Sequence, residues 1–532
     1  MKTKYLNYEE TGFYSKLIVD YLSQKESIQA FAPPLFTKES VSSIIENRKK
    51  HFIVDRQKLS EILMAQYKNV ELSTKTKDNI TSLQSENTFT ITTAHQLNLF
   101  TGPLYFIYKV LHCINLCEAL KKQMPDHHFV PVFWMHTEDH DIEEINHFHL
   151  YSKTITWQTA KKVVSGSIPT EGLKEVIEEV KTLLGTGEYA QEIITILEKS
   201  FLENKTYAKG MFAFANALFG AYGIVLVDQH SPDLKKFLLP VLESDLLRNQ
   251  VYKIASKTGE SLEKAGYHVQ AYPRPINLFY LDHHNKRNRI EYKEGQFNLV
   301  NNSLSFSETE ILSLLKSDIN RFSTNVLLRP LYQERSLPNL AYIGGGGELA
   351  YWMQLKEVFK HYDMHYPSLM LRNSVMWIDK SSHKKLNKLD ISVESVFQKT
   401  DDLITQYVKS NTESEISLAA EKAQLENFFE PIIAKAKSVD ATLEKAAIGE
   451  MTRQIKSLSN LEKKLLRAEK RNFETKTNQI RSIQSNLFPM NKLQERHDNF
   501  MCFWAEMGRN FFDTFLEEVN PWNEAFTVLV EE

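Results

Sequence analysis

The chain carries only three cysteines in 532 residues: Cys113, Cys117 and Cys502. A disulfide-stapled fold is therefore not expected, and a reducing cytoplasm is the expected compartment. Cys113 and Cys117 lie on one helix face by their spacing and read as buried structural thiols. Long hydrophobic runs are also missing. No stretch approaches the ~20 apolar residues that cross a bilayer. The N-terminal MKTKYLNYEETGFYSKLIVDYL has no continuous apolar run, so no signal peptide is expected. Charge of one sign is missing too. The net charge of −3 gives no whole-chain attraction to nucleic acid or membrane. What remains is ordinary for a globular protein, with 42% hydrophobic and 25% charged residues. The chain is long enough for more than one domain.

The densest pattern runs from Thr88 to His147. Phe89–Thr93 is β-branched and predicts a strand. The loop His95–Pro103 follows, then an amphipathic helix from about Leu104 to Lys122. Phe129–Met135 is a continuous apolar run, as in parallel strands buried on both faces. This is a β-α-β unit, and ligands of open α/β sheets bind beyond the carboxyl ends of the strands. At the first strand end, His95, Gln96, Thr101 and Gly102 precede a helix N-terminus that favours an anion, with Lys109 two turns on. The loop lacks the G-K-[ST] ending of a phosphate-binding Walker loop. At the second, Glu138, Asp139, His140 and Asp141 open an acidic run that continues through Glu143, Glu144 and Asn146 to His147. Such a run suits a substrate ammonium, a general base or Mg²⁺. His136 and His140 have i,i+4 spacing, but the residues before them read as strand, so no zinc site is expected.

Gly223–Val227 predicts another buried strand, followed by a helix from Ser231-Pro232-Asp233 to about Ala265. Asn277–Leu281 and Arg289–Tyr292 predict a hairpin. Val326–Leu328 reads as β-like. Leu340–Ile343 runs into Gly344, Gly345, Gly346 and Gly347, a turn that lets a ligand approach backbone before the helix carrying Glu348 and Tyr351. It does not match G-x-G-x-x-G. Arg329, Gln333 and Arg372 add polar groups near predicted strand ends, and either arginine can clamp a carboxylate or phosphate. After Lys380 glycine nearly vanishes. Ile432, Ala436, Val439, Leu443 and Ala446 follow a heptad seam, in one helix from Pro431 to Pro489 with 402–429 as an antiparallel partner. The basic run Lys463–Lys476 reads as a solvated flank, and no nucleic-acid or membrane partner is expected. The expected organisation is a core over 1–380 with insertions near 148–200 and 265–325, a coiled coil over 381–489, and a segment 490–532 packing back on the core.

Four stretches resemble the BshC family, the cysteine ligases of bacillithiol biosynthesis. They are TAHQLNLFTGPLYFIYK (Thr93–Lys109), PVFWMHTEDHDIEEINH (Pro131–His147), LLRPLYQERSLPNLAYIGGGGELAYWMQLKEVF (Leu327–Phe359) and LQERHDNF (Leu493–Phe500). Ala94 stands where a Gly is common, and Gly346 where a Pro is frequent. The resemblance implies an α/β fold with a Rossmann-like parallel-sheet core, related to nucleotidyltransferases and class I synthetases. It also implies inserted connective segments, a long α-helical coiled coil and a homodimer. The implied reaction adds cysteine to the amine of glucosaminyl-malate. An amide needs an activated carboxyl, so ATP is the expected cosubstrate, with Mg²⁺ as a candidate companion. On this reading His95, Glu138, Asp139, His140 and Asp141 are assigned to catalysis. Gln96, Thr101, Gly102, Tyr105, Lys109, Asn146, Arg329, Gln333, Gly344, Gly345, Gly347, Glu348, Tyr351 and Arg372 are assigned to substrate or nucleotide, and no metal ligand is assigned. The alternatives are a nucleotidyltransferase-like enzyme on another small substrate and a non-catalytic dimeric scaffold.

Overall fold

The computed structural model describes residues 1–159, 163–413, 415–522 and 525–532. A five-stranded parallel sheet organises the first of two compact units, Met1–Met376 with Lys492–Leu529. Its strands are β1 (Thr88–Gln96), β2 (His128–His136), β3 (Val225–Asp228), β4 (Asn339–Gly344) and β5 (Ser368–Leu371). Their spatial order is β5-β4-β1-β2-β3, and every pairing is parallel. β1 and β2 pair from Thr88 opposite His128 to Gln96 opposite His136. Thr88–Ala94 and Phe129–Met135 are buried without interruption, because helices cover both faces of such a sheet. The threonines of β1 are buried at little cost because they are bonded. Thr92 Oγ1 donates to Asn339 Oδ1 at 2.8 Å, and Thr93 Oγ1 to the Ile343 carbonyl at 2.8 Å, which ties β1 to β4.

Helix α1 (Tyr105–Gln123) joins β1 to β2, and 12 of its 19 residues are buried. Cys113 and Cys117 lie in the apolar cluster with Leu116, Leu120, Phe89 and Ile91, and all three cysteines are free thiols. From β1 the chain lays β2 and β3 on one side, then β4 and β5 on the other. The order reverses between β1 and β4, and such a reversal opens a crevice at the carboxyl ends.

Two readings change between β3 and β4. The single helix expected over 231–265 is three: α2 (Pro232–Lys236), Leu239–Arg248 and Gln250–Lys264. Asn249, at φ 53°, adopts a left-handed conformation that breaks the last two apart. Val326–Leu328 is not a strand. The strand is Phe322–Thr324, and Leu328 opens helix α3 (Leu328–Ser336). Arg329 and Gln333 therefore sit one turn apart on a helix rather than near a strand end. The hairpin forms as Leu278–Leu281 with Arg287–Lys293, inside a five-stranded sheet that Phe322–Thr324 completes. Helix α4 (Gly346–Trp352) follows β4.

The second unit covers Trp377–Asn491 with Val530–Glu532. Its core is an antiparallel hairpin of α5 (Ala419–Val439) and α6 (Ala441–Asn472), braced by Lys422 to Glu462 at 2.6 Å. The single helix expected from Pro431 to Pro489 is broken at Asp440, whose extended backbone and carboxylate cap α6 through the Thr442 N–H at 2.7 Å. Pro431 lies inside α5, not in a first turn. The heptad pattern continues across this turn, because Val439 and Leu443 flank it at helical spacing.

Candidate active site

All five strands of the parallel sheet end at one cavity of about 690 Å³. Residues at or just beyond those ends reach it from each strand: His95 and Gln96 (β1), His136, Glu138 and Asp139 (β2), Gln229 (β3), Gly345–Gly347 and Glu348 (β4), and Arg372 (β5). Lys109 and Tyr105 of α1, Arg329 of α3 and Tyr351 of α4 complete the core side. Phe279, Arg287, Asn325 and Val326 form the facing wall.

The charges divide into paired and unpaired. Lys109 Nζ forms an ion pair with Glu348 and donates to the Ala94 carbonyl at 3.1 Å. Glu348 also accepts the Tyr342 hydroxyl at 2.6 Å and the Gly345 N–H at 2.8 Å. Burial alone would raise its carboxyl, but Lys109 and His95 more than offset this and hold it at about 2. Arg372 makes a two-pronged bond to Glu495 at 2.8 and 2.6 Å, with both groups buried. Glu138, buried, is taken by Lys235 of α2 and by His230 Nδ1 at 2.7 Å. Lys235 and the hydrogen bond from His230 outweigh its burial and hold it at about 2. Lys235 also donates to the Phe322 carbonyl at 2.8 Å, so Glu138 fastens the facing wall to the core. Asp139 accepts Gln96 Nε2 at 2.6 Å and the His140 N–H at 2.7 Å, and faces Arg287 at 3.9 Å.

Arg329 differs. It is 4% exposed and has no carboxylate within ion-pair distance among the described residues. Its guanidinium donates to Gln333 Oε1 at 3.0 Å and to the Tyr351 hydroxyl at 2.6 Å. Its Nε has no partner. The rings of Tyr342, Tyr351 and Trp352 lie 5.5–6.0 Å from it and soften the cost of burying the charge.

Two neutral imidazoles border this cation. Burial, then Lys109, lowers His95 to about 3. Its Nδ1 accepts the Gln96 N–H at 2.9 Å, so the ring proton sits on Nε2, which has no partner. Burial, then Arg329, His95 and Lys109, holds His136 well below the usual histidine range, and its Nε2 also has no partner.

Of the residues assigned from sequence, the structure brings His95, Glu138, Asp139, Gln96, Tyr105, Lys109, Arg329, Gly345, Gly347, Glu348, Tyr351 and Arg372 to this cavity. His140, Asp141, Asn146, Thr101, Gly102, Gln333 and Gly344 do not line it. Gln333 stands behind Arg329. A Cβ on Gly344 would fall 2.8 Å from Leu349, so that glycine serves packing. Thr101 is fully buried at φ 73°. Its loop is closed by Asn499, which donates to the Phe100 and Gly102 carbonyls at 3.1 and 2.6 Å. The N–H groups expected to meet an anion here are already spent, those of Thr101, Gly102 and Leu104 on the carbonyls of Asn98, Leu99 and Asp498 at 3.1, 2.8 and 2.8 Å. Among the described residues, no group of three or more His, Cys, Asp or Glu side chains is placed to hold a metal ion. Sequence reading missed Gln229, Arg287, Val326 and Arg496, and named His136 only for zinc. The strand-end rule reaches Gln229 and His136. Arg287 opens the second strand of the hairpin, two residues before the strand start expected from sequence, and nothing local marks it.

A parallel sheet with a polar, glycine-edged cavity at its switch point defines a Rossmann-like α/β protein with a site of small-molecule size. The chain belongs to the BshC family of bacillithiol biosynthesis. Residues 1–373 match the family description "Bacillithiol biosynthesis BshC, N-terminal Rossmann-like domain", and residues 375–531 match its C-terminal coiled-coil domain. Relatives named "Putative cysteine ligase BshC" occur in Flavobacterium psychrophilum (41% identity, 99% of both chains) and Christiangramia forsetii (39%, 99% of both). Another is in Bacillus thuringiensis (27%, 95% of this chain and 96% of that one). No helix among the described residues is long and apolar enough to cross a membrane.

Proposed function

We propose that this protein joins the carboxyl group of cysteine to the amine of glucosaminyl-malate, with ATP activating the carboxyl. The observation that carries this reading is Arg329, a buried guanidinium on the cavity wall with no carboxylate of its own. A ligand carboxylate or phosphate supplies the missing anion, and a planar fork suits either. The malate carboxylates meet Arg329. The phosphates of the nucleotide meet His95 Nε2–H and the free backbone N–H groups of Gly346 and Gly347, which open α4 and have no intrahelical acceptor. Asp139, at the cavity edge, receives the cysteine ammonium. Mg²⁺, if used, arrives with the phosphates rather than in a protein cage.

The protein acts in the cytoplasm, where its three free thiols stay reduced. The coiled coil pairs two copies. Ile432, Leu443, Ile448 and Leu461 are 39–47% exposed, and Phe428 and Val439 more so, an apolar surface that a second hairpin covers. Sedimentation of the full chain at micromolar concentration tests the dimer; a monomer there rejects it. Thiol profiling of a deletion strain tests the function. Loss of the cysteinyl product, accumulation of glucosaminyl-malate and recovery on complementation are expected. Unchanged thiols reject the ligase.

A further inference from the structure

We propose that His136 accepts the proton of the attacking amine, an assignment that rests on the amide-forming reading above. The cavity offers few lone pairs for the task. Glu138 is taken by Lys235 and His230, and Glu348 by Lys109, Tyr342 and the Gly345 N–H. Asp139, bonded by Gln96 and the His140 N–H, is assigned to the cysteine ammonium, and Glu144 stands exposed at the rim, bonded to Gln96 at 3.1 Å. His95 has its Nδ1 occupied by the Gln96 N–H and presents only a donor. Gln229, Gln270 and Asn325 carry amides, which are not bases at neutral pH. Among the described residues lining the cavity, His136 is left as the basic nitrogen with no partner.

Its position suits the role. His136 ends β2, opposite Gln96 of the central strand β1. The charged and titratable groups facing it are Arg329 of α3, His95 of β1, Lys109 of α1 and Arg287 of the facing wall. Asp228 of β3 lies beyond, bonded to Thr137, with Glu138 and Asp139 on its own segment. Burial, and then three fixed cations, keep the imidazole neutral before the substrate binds. An anionic substrate on Arg329 cancels part of that field and makes the ring more basic when it is needed. In the step itself, the amine lone pair forms the C–N bond to the activated carboxyl carbon. The C–O bond to the phosphate leaving group breaks with its electron pair, and the N–H proton passes to His136 Nε2.

Hydroxylamine separates this step from activation, because it is unprotonated at neutral pH and attacks an activated carboxyl without a base. With ATP and cysteine, His136→Gln is expected to form cysteine hydroxamate at the wild-type rate, which also shows that the variant is folded. Its amide formation with glucosaminyl-malate is expected to fall roughly 100-fold. In His136→Ala, added imidazole restores part of the amide rate. Wild-type amide formation by His136→Gln overturns the assignment, as does equal loss of hydroxamate and amide. If the wild type forms neither product, the ligase reading itself falls, and the His136 assignment with it.

Discussion

Arg329 and Arg372 enter the same cavity, are equally buried at 4% and 3% exposure, and are opposite in kind. Arg372 brings its own anion, Glu495, in a two-pronged bond. Arg329 is held by an amide and a phenol and keeps one N–H unspent. A buried charge with a complete partner is architecture, because its energy is committed before any ligand arrives. A buried charge held only by neutral groups costs stability and is retained where a ligand completes it.

The largest effect belongs to the architectural pair. Glu495→Gln leaves Arg372 buried without its anion and is expected to cost about 3–5 kcal/mol of stability. The double change Arg372→Met with Glu495→Leu removes both charges and is expected to cost much less. Denaturant unfolding measures both, and wild-type stability in Glu495→Gln erases the distinction drawn here.

Next comes an attempt to turn one arginine into the other. Gln333→Glu places a carboxylate where the Arg329 guanidinium now meets an amide. Arg329 then resembles Arg372, and kcat/KM for glucosaminyl-malate is expected to fall about 100-fold, near 3 kcal/mol. Stability is expected to fall somewhat, because Gln333 Nε2 also donates to the buried Glu334 at 2.8 Å and the new carboxylate would face it. An unchanged KM would show that Arg329 does not receive the substrate.

Glu138 tests a third buried charge, which is paired like Arg372. Its carboxyl is lowered from 4.5 to about 2, so the folded state binds its proton less readily than the unfolded chain. The stability this contributes is fully present above about pH 4.5 and is lost as pH falls toward 2. Denaturant midpoints compared at pH 5 and pH 3 are expected to drop more steeply in the wild type than in Glu138→Gln with Lys235→Met. Parallel slopes would remove Glu138 from the acid response.

The sequence made the strand ends legible and left their wiring hidden. The alternation of apolar runs and polar turns located His95, Glu138, Gly345 and Arg372, because a buried parallel strand must surface somewhere. It did not reveal that Glu138 and Arg372 are spoken for. Their partners, Lys235 and Glu495, lie 97 and 123 residues away, and nothing local marks them. The Thr101–Gly102 loop misled for the same reason: Asn499, which closes it, is almost 400 residues on. The break at Asp440 was missed because a heptad pattern can continue in register across a tight turn.

The smallest effect probes what holds Arg329 ready. Tyr351→Phe keeps the ring but removes the hydroxyl that accepts from the guanidinium at 2.6 Å. The freed N–H faces the cavity, where a bound carboxylate can take it up, so part of the loss is regained in the complex. About 1 kcal/mol, a several-fold rise in KM with kcat unchanged, is therefore expected. A fall in kcat at constant KM would mean that the hydroxyl acts on the reacting atoms. Arg329 would then belong to the chemical step and not to substrate capture, and its contrast with Arg372 would have to be drawn there.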